Sequence, residues 1–207
     1  MVAIVDYGVG NLFSLECSLN AIGAEVTITA DPEVLKNADQ IILPGVGAFE
    51  DAAKKLRATG LDQTIRDLAA AGKPLMGICL GMQMLFDKSY EYGEHEGLGL
   101  ISGQVVPMQG VIPPSYKIPH IGWNALVFKK DTPLFKYIQN GDCVYFVHSY
   151  YAANCDDAVL ATAEYGPELT AAVAKGNVFG CQFHPEKSGT VGLNILKAFV
   201  EMEGKKC

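Results

Sequence analysis

Metal-site spacings, paired cysteines, basic stretches and long apolar runs are all missing from this chain, and each gap removes a class of function. The six cysteines stand at positions 17, 79, 143, 155, 181 and 207, with no CxxC pair and no paired spacing. They are expected as reduced thiols of a cytoplasmic protein rather than as a disulfide framework. His95, His120, His148 and His184 are scattered and none sits in an HExxH-type pattern, so no metal and no cofactor is expected. Sixteen Lys and Arg against 23 Asp and Glu leave a net charge of −7, which argues against nucleic acid as the main partner. No apolar run reaches the length of a bilayer span, so no membrane contact is expected. Met1-Val2-Ala3-Ile4-Val5-Asp6 enters a strand pattern at once, without a basic lead, and is not expected to be a signal peptide. A dinucleotide fingerprint is also lacking: after Gly8 and Gly10, Phe13 stands where the third glycine of GxGxxG would fall.

What remains is an ordinary globular composition, 49% hydrophobic and 19% charged, with patterning that points to an α/β fold. Short apolar runs at Val2–Val5, Val26–Thr29, Gln40–Leu43 and 74–78 read as strands. Between them lie helical spacings. Leu12, Leu15, Leu19 and Ile22 predict a helix over 11–22, stopped by Gly23 as a C′ glycine. Asp31-Pro32 predicts a capped helix start. Residues 50–57 and 61–71 read as an amphipathic helix broken near Gly60. This alternation predicts a mixed, mostly parallel central sheet with helices on both faces. The second half changes character. Residues 98–128 hold short strands and turn residues. Segments 144–147, 159–163, 170–174 and 178–182 predict strands that pair antiparallel, and a closing helix runs over 189–201. Residues 87–97 and 108–117 read as mobile loops. With no repeat and no linker, residues 1–207 are expected as one domain. Ligands of such sheets sit beyond the carboxyl ends of the parallel strands, where residues 6–11, 44–48 and 79 fall.

The most informative segment is Leu75-Met76-Gly77-Ile78-Cys79-Leu80-Gly81-Met82-Gln83. An apolar run ends in Gly-x-Cys-x-Gly and a helix-like pattern follows, the layout of a nucleophile elbow. The flanking glycines are expected to let the chain turn with positive φ at Cys79, at a helix N-terminus that favours thiolate. Far downstream stands His184-Pro185-Glu186. His184 can serve as base and then acid, and Glu186, on the same side of an extended stretch, can hold the other ring nitrogen. Pro185 restricts His184 to extended backbone. Leu43-Pro44-Gly45-Val46-Gly47 can turn N–H groups inward as an oxyanion hole together with Leu80, or can be a plain βα turn. Singly, these residues also read as an inert core cysteine, a structural histidine and a solvated carboxylate. Their joint occurrence favours the catalytic reading.

Gly-Ile-Cys-Leu-Gly-Met-Gln (77–83) with Phe-His-Pro-Glu (183–186), in the order Cys…His…Glu, resembles the class I, or triad-type, glutamine amidotransferases over the whole chain. The resemblance implies a flavodoxin-like fold. It implies hydrolysis of the L-glutamine side-chain amide through a γ-glutamyl thioester on Cys79, and delivery of the ammonia to a synthase. Segments 6–12, 43–49, 119–124 and 183–188 together are similar to the glutaminase subunits of imidazole glycerol phosphate synthases, which implies histidine biosynthesis and a (β/α)8-barrel cyclase as partner in a heterodimer. By the same resemblance, Val46 and Leu80 would offer oxyanion N–H groups. Gly47, Gln83, Glu91, Ser149 and Tyr150 would hold glutamine, Glu91 at its ammonium group. Asn11, Trp123, Tyr145 and Lys187 would lie at the partner interface near the ammonia passage. Trp123, the only tryptophan, suits an interface anchor or a core position equally well. A glutaminase subunit of another synthase, a different cysteine hydrolase and a non-enzymatic binding subunit are the other readings. A peptidase would need its histidine near the elbow, and an intact Cys79, His184 and Glu186 argue against a binding-only role.

Overall fold

Apolar four-residue strands alternating with helices that carry one apolar stripe can bury everything only by stacking in layers. The computed structural model describes residues 1–203 and shows that arrangement. In chain order the first half contains β1 (Val2–Val5), α1 (Leu12–Ala21), β2 (Val26–Thr29), α2 (Pro32–Asn37), β3 (Gln40–Leu43), α3 (Phe49–Ala58), α4 (Leu61–Ala70), β4 (Leu75–Ile78) and α5 (Leu80–Gln83). The second half contains β5 (Phe86–Ser89), β6 (His95–Glu96), β7 (Ile101–Pro107), β8 (His120–Ala125), β9 (Val127–Phe128), β10 (Cys143–His148), β11 (Tyr150–Ala153), β12 (Val159–Glu164), β13 (Glu168–Lys175), β14 (Val178–Cys181) and α6 (Gly189–Val200).

The central sheet has the order β2-β1-β3-β4-β14-β13-β12-β9. Its first five strands are parallel and the last three antiparallel. Strand β14 stands at the change of direction, antiparallel to β13 but parallel to β4, so the expectation of antiparallel pairing holds on one side only. Strands β1, β3 and β4 are buried at every residue because both sheet faces are covered. Ala3, Val5, Ile41 and Leu43 pack against Leu35 of α2, Phe49 and Leu56 of α3, and Ile65 of α4. Their alternate neighbours Val2, Ile4 and Ile42 pack against Leu15 and Leu19 of α1 and Ile195, Leu196 and Phe199 of α6.

The helix boundaries follow local chemistry. Asn11 caps α1 through its side chain on Ser14 N (3.4 Å). Gly23 at φ +80° donates to Asn20 O after the last turn. Asp31 caps α2 on Glu33 N (2.9 Å) with Pro32 in the first turn. Gly60 at φ +71° separates α3 from α4.

Two smaller sheets complete the fold, β11-β7-β5-β6 and the antiparallel ribbon β10-β8. They correct two expectations. The helix expected after Cys79 stops after one turn, and the chain re-enters a strand at Phe86. Residues 87–97, read as a mobile loop, contain most of β5 and all of β6. Within 108–117, also read as a loop, Met108 and Ile112 are anchored in a small core with Leu169.

Candidate active site

Strand β4 ends at Cys79, whose backbone sits at φ +55°, ψ −112°. Such a conformation is costly for a residue with a Cβ and persists only where neighbours enforce it. Here the Cys79 N–H is held by Cys181 O of β14 (2.7 Å), and the Cys79 carbonyl by Gln83 N (3.1 Å). The positive φ expected at Cys79 is present, and Gly77 and Gly81, which themselves lack positive φ, allow the turn by leaving space for it. A Cβ on Gly81 would stand 1.9 Å from Leu43 O, and one on Gly77 would stand 2.5 Å from Gly81 O. Only glycine lets the elbow nest against the end of β3 and the loop that follows.

That loop is held from below. The buried Tyr7 hydroxyl donates to Pro44 O (2.7 Å). Burial, with a smaller contribution from nearby Cys79, pushes the phenol well above its usual range, so it stays a donor. Gly47 adopts φ +91°, and Val46 is exposed.

His184 follows β14 in extended geometry (φ −100°, ψ +99°), as a residue before proline requires. Its N–H donates to Tyr145 O of β10 (2.9 Å), and its carbonyl accepts from Ser188 Oγ (2.6 Å). Glu186 does not lie on an extended stretch: residues Pro185–Lys187 form a 3-10 turn that carries the carboxylate back to the ring. Glu186 Oε1 is 2.7 Å from His184 Nδ1, and both side chains are 4% exposed. Burial of the ring works against its charged form. Hydrogen bonds and charge from Cys79 and Glu186 outweigh that and push its pKa up to about 9. A thiol, a base and a carboxylate thus form one chain in the order that nucleophilic acyl transfer needs.

A cleft of about 400 Å³ opens over this group. Besides Cys79 and His184 it is lined by Val46, Gly47, Leu80, Gln83, Glu91, Ser149, Tyr150 and Lys187, while Glu186 stands behind the ring and outside the lining. The glutamine and oxyanion residues expected from the sequence therefore share one wall system with the nucleophile. Glu91 is partly engaged already, accepting from Phe49 N at the start of α3 (2.7 Å). Its half-buried position pushes its pKa up, opposed by that hydrogen bond and by His95. Two roomier clefts, of about 600 and 760 Å³, lie elsewhere, but neither is lined by a histidine.

The remaining expected residues lie around the cleft. Trp123 is 55% exposed and meets Tyr145 edge to face (6.0 Å between ring centres), which removes the core reading for Trp123. Asn11 lines a cavity of about 10 Å³ with Glu186 and His184. Lys187 is exposed at the rim. Three polar groups escaped the sequence reading: Tyr7, Gln182 and the His120–His148 pair. His148 Nδ1 donates to Tyr150 O (2.9 Å), and its Nε2 faces His120 Nδ1 (3.1 Å). Burial pulls the His148 pKa down to about 4; the Tyr150 hydrogen bond opposes this, and His120 and His184 add to it. Gln182 and His148 carry no motif, and Tyr7 and His120, although inside the segments 6–12 and 119–124, show their contacts only when distant strands are brought together.

The sequence profile of the class-I glutamine amidotransferase family matches residues 3–202. The chain belongs to this family. It is 54% identical over 203 residues to the imidazole glycerol phosphate synthase subunit HisH of Caldanaerobacter subterraneus subsp. tengcongensis, covering 98% of each chain. It is 46% identical over 202 residues to the protein of the same name from Listeria monocytogenes serotype 4a, covering 98% of this amidotransferase and 96% of that one. Solved structures share the amidotransferase fold at low identity. One described as a glutamine amidotransferase superposes with a TM-score of 0.76 at 22% identity, over 97% of this chain and 98% of that one. The PurLQS structure from Thermotoga maritima gives 0.73 at 24% identity, over 96% of each.

Proposed function

We propose that this amidotransferase is the glutaminase subunit of an imidazole glycerol phosphate synthase. Its residues 1–207 would form one catalytic domain that hands ammonia to a (β/α)8-barrel cyclase making imidazole glycerol phosphate and aminoimidazole carboxamide ribotide. The carrying observation is the Cys79–His184–Glu186 chain at the floor of a cleft sized for an amino acid, in a protein about half identical to named HisH subunits. L-Glutamine enters with its ammonium group toward Glu91 and its side-chain amide over Cys79, within the walls made by Gly47, Gln83, Ser149 and Tyr150. His184 takes the thiol proton and the sulfur attacks the amide carbon. The oxyanion is received by the N–H groups of Val46 and Leu80. His184 then protonates the departing nitrogen, and water, deprotonated by the same ring, releases glutamate from the thioester. Glu186 fixes the ring's orientation and steadies its positive charge.

The partner would seat on the face carrying Asn11, Trp123, Tyr145 and Lys187. Ile121 and Trp123 are 60% and 55% exposed on one side of β8, and Phe13, two residues after Asn11, is 74% exposed, apolar surface that a partner could cover. The deciding experiment is copurification with a barrel cyclase followed by a product assay from glutamine, in parent and Cys79→Ala proteins. Product from glutamine in the parent, and only from ammonium salts in Cys79→Ala, is expected. Ammonia release from glutamine by Cys79→Ala, or no association with the cyclase, would overturn the reading.

A further inference from the structure

Gln182 is fully buried at the end of β14, two residues before His184, and the reaction as written gives it no part. Its side chain bridges Gln83 and the nucleophile. Gln182 Oε1 is 3.0 Å from Gln83 Nε2, and Gln182 Nε2 is 3.9 Å from Cys79 Sγ, within hydrogen-bond reach of an atom as large as sulfur.

A carboxamide has one accepting and one donating end, and which faces which is decided by partners whose role is fixed. Here the fixed partner is the carbonyl oxygen of Tyr150, which can only accept. It lies 3.2 Å from Gln83 Nε2, so the NH2 end of Gln83 points there. The second N–H of that group then meets Gln182, which must present its oxygen. With its oxygen committed, Gln182 turns its own NH2 toward the sulfur. Reversing Gln182 would set two donors face to face and leave both unsatisfied in a buried site, the more expensive outcome. The backbone reinforces the aim, since Gln182 N donates to Ala171 O (2.9 Å).

We propose that the Gln182 amide is a catalytic hydrogen-bond donor to the Cys79 sulfur, oriented by Gln83. A neutral thiol accepts hydrogen bonds poorly and a thiolate accepts them well, so this N–H acts mainly after the proton has left. The other groups facing the sulfur divide into two sets. His184, backed by Glu186, favours the thiolate. Val147 O at 4.0 Å accepts from the thiol and favours the protonated form, and buried Tyr7 lies close without donating to the sulfur. Gln182 adds a second donor from the side opposite to water, where nothing competes for it. Gln83, with both N–H groups engaged, keeps only its oxygen free for a ligand in the cleft.

The inference rests on reading Cys79 as the nucleophile, so its test avoids glutamine. Alkylation of Cys79 by iodoacetamide, followed on the Cys79 peptide by mass spectrometry across pH, reports the thiolate fraction. In Gln182→Met the midpoint should rise by about one pH unit, making alkylation at neutral pH about tenfold slower. In the parent, the Gln182 side-chain amide signals in nitrogen-resolved NMR should move with the same midpoint and stay fixed in Cys79→Ala. A Gln182→Met protein that melts like the parent and alkylates on the parent's profile overturns the proposal. If that variant does not fold, Gln182 signals that stay still while Cys79 titrates overturn it instead.

Discussion

Replacing Gly81 by alanine adds one methyl at the tightest point of the elbow. The new carbon would stand 1.9 Å from Leu43 O and 2.8 Å from Leu43 C, about 1.5 Å short of ordinary contact with that oxygen. Neither side is a flexible side chain: both are backbone, one on the elbow helix and one at the end of β3. Relief therefore requires the elbow and the 43–47 loop to move apart. Overpacking of this kind costs about 1–3 kcal/mol. For a chain of this length that is a fall in melting temperature of about 3–10 °C. The activity loss should be larger than the stability loss suggests. Cys79 and Val46 lie on the two bodies being separated, and a displacement of about 1 Å at reacting groups costs about a hundredfold in rate. Glutamate release in the presence of a cyclase partner, read beside a melting curve, separates the two effects. Gly23→Ala is the control: its backbone, unlike that of Gly81, is at positive φ (+80°), but an added methyl meets nothing within 4 Å. It should lose a little stability and keep the parental rate. A Gly81→Ala protein with kcat/KM within twofold of the parent would refute the argument that these glycines exist for close approach.

Glu186→Gln keeps the shape of the pair with His184 but removes its charge, and should lower kcat about 10²- to 10⁴-fold. The His184 pKa should move down from about 9 toward the usual range, seen as an acid-shifted limb of the rate profile. His148 predicts a window of acid sensitivity. It stays neutral in the folded chain down to about pH 4, whereas an unfolded histidine takes a proton near 6.5. The unfolded chain therefore binds more protons in that interval, and stability present above pH 6.5 is lost as pH falls through 4. Urea unfolding at several pH values should show a steeper acid loss in the parent than in His148→Gln. Equal slopes would place the loss elsewhere. Finally, the glycines around Val46 leave that peptide plane free to turn. Adding a ligand-bound cyclase should raise glutamine turnover about 10²- to 10³-fold, the worth of one oxyanion donor. An isolated subunit as fast as the complex would end this idea.

The parallel half of the sheet was legible because each signal is local. Val2–Val5 and Gln40–Leu43 are apolar throughout, Asp31-Pro32 caps and starts a helix, and Gly23 and Gly60 punctuate. The triad was legible for a different reason: Cys79, His184 and Glu186 sit inside short motifs whose spacing survives without coordinates. The small sheets were not. Residues 87–89 read as the start of a loop and become part of a strand because Ile101–Pro107, over a dozen residues on, offers a parallel edge. Glu186 was expected on an extended stretch, yet a 3-10 turn brings it back to the ring. Gln182 and His148 have no motif at all. Their roles are set by the facing of amide and imidazole ends across β10, β11 and β14, which no single segment encodes. The exposure of Trp123 was undecided in the sequence and is settled by its place on the two-stranded ribbon.

That ribbon has a mechanical side. Tyr145 is paired with Trp123 and His148 with His120, so the outward-facing rings and the wall of the cleft ride on the same short splint, about 10 Å apart along the strand. With the far end as pivot, a tilt of about six degrees at that lever arm carries the wall through about 1 Å, the scale on which reacting atoms gain or lose alignment. A load on the indole would thus reach the cleft wall along the ribbon, and also the His184 segment, which the ribbon holds through Tyr145.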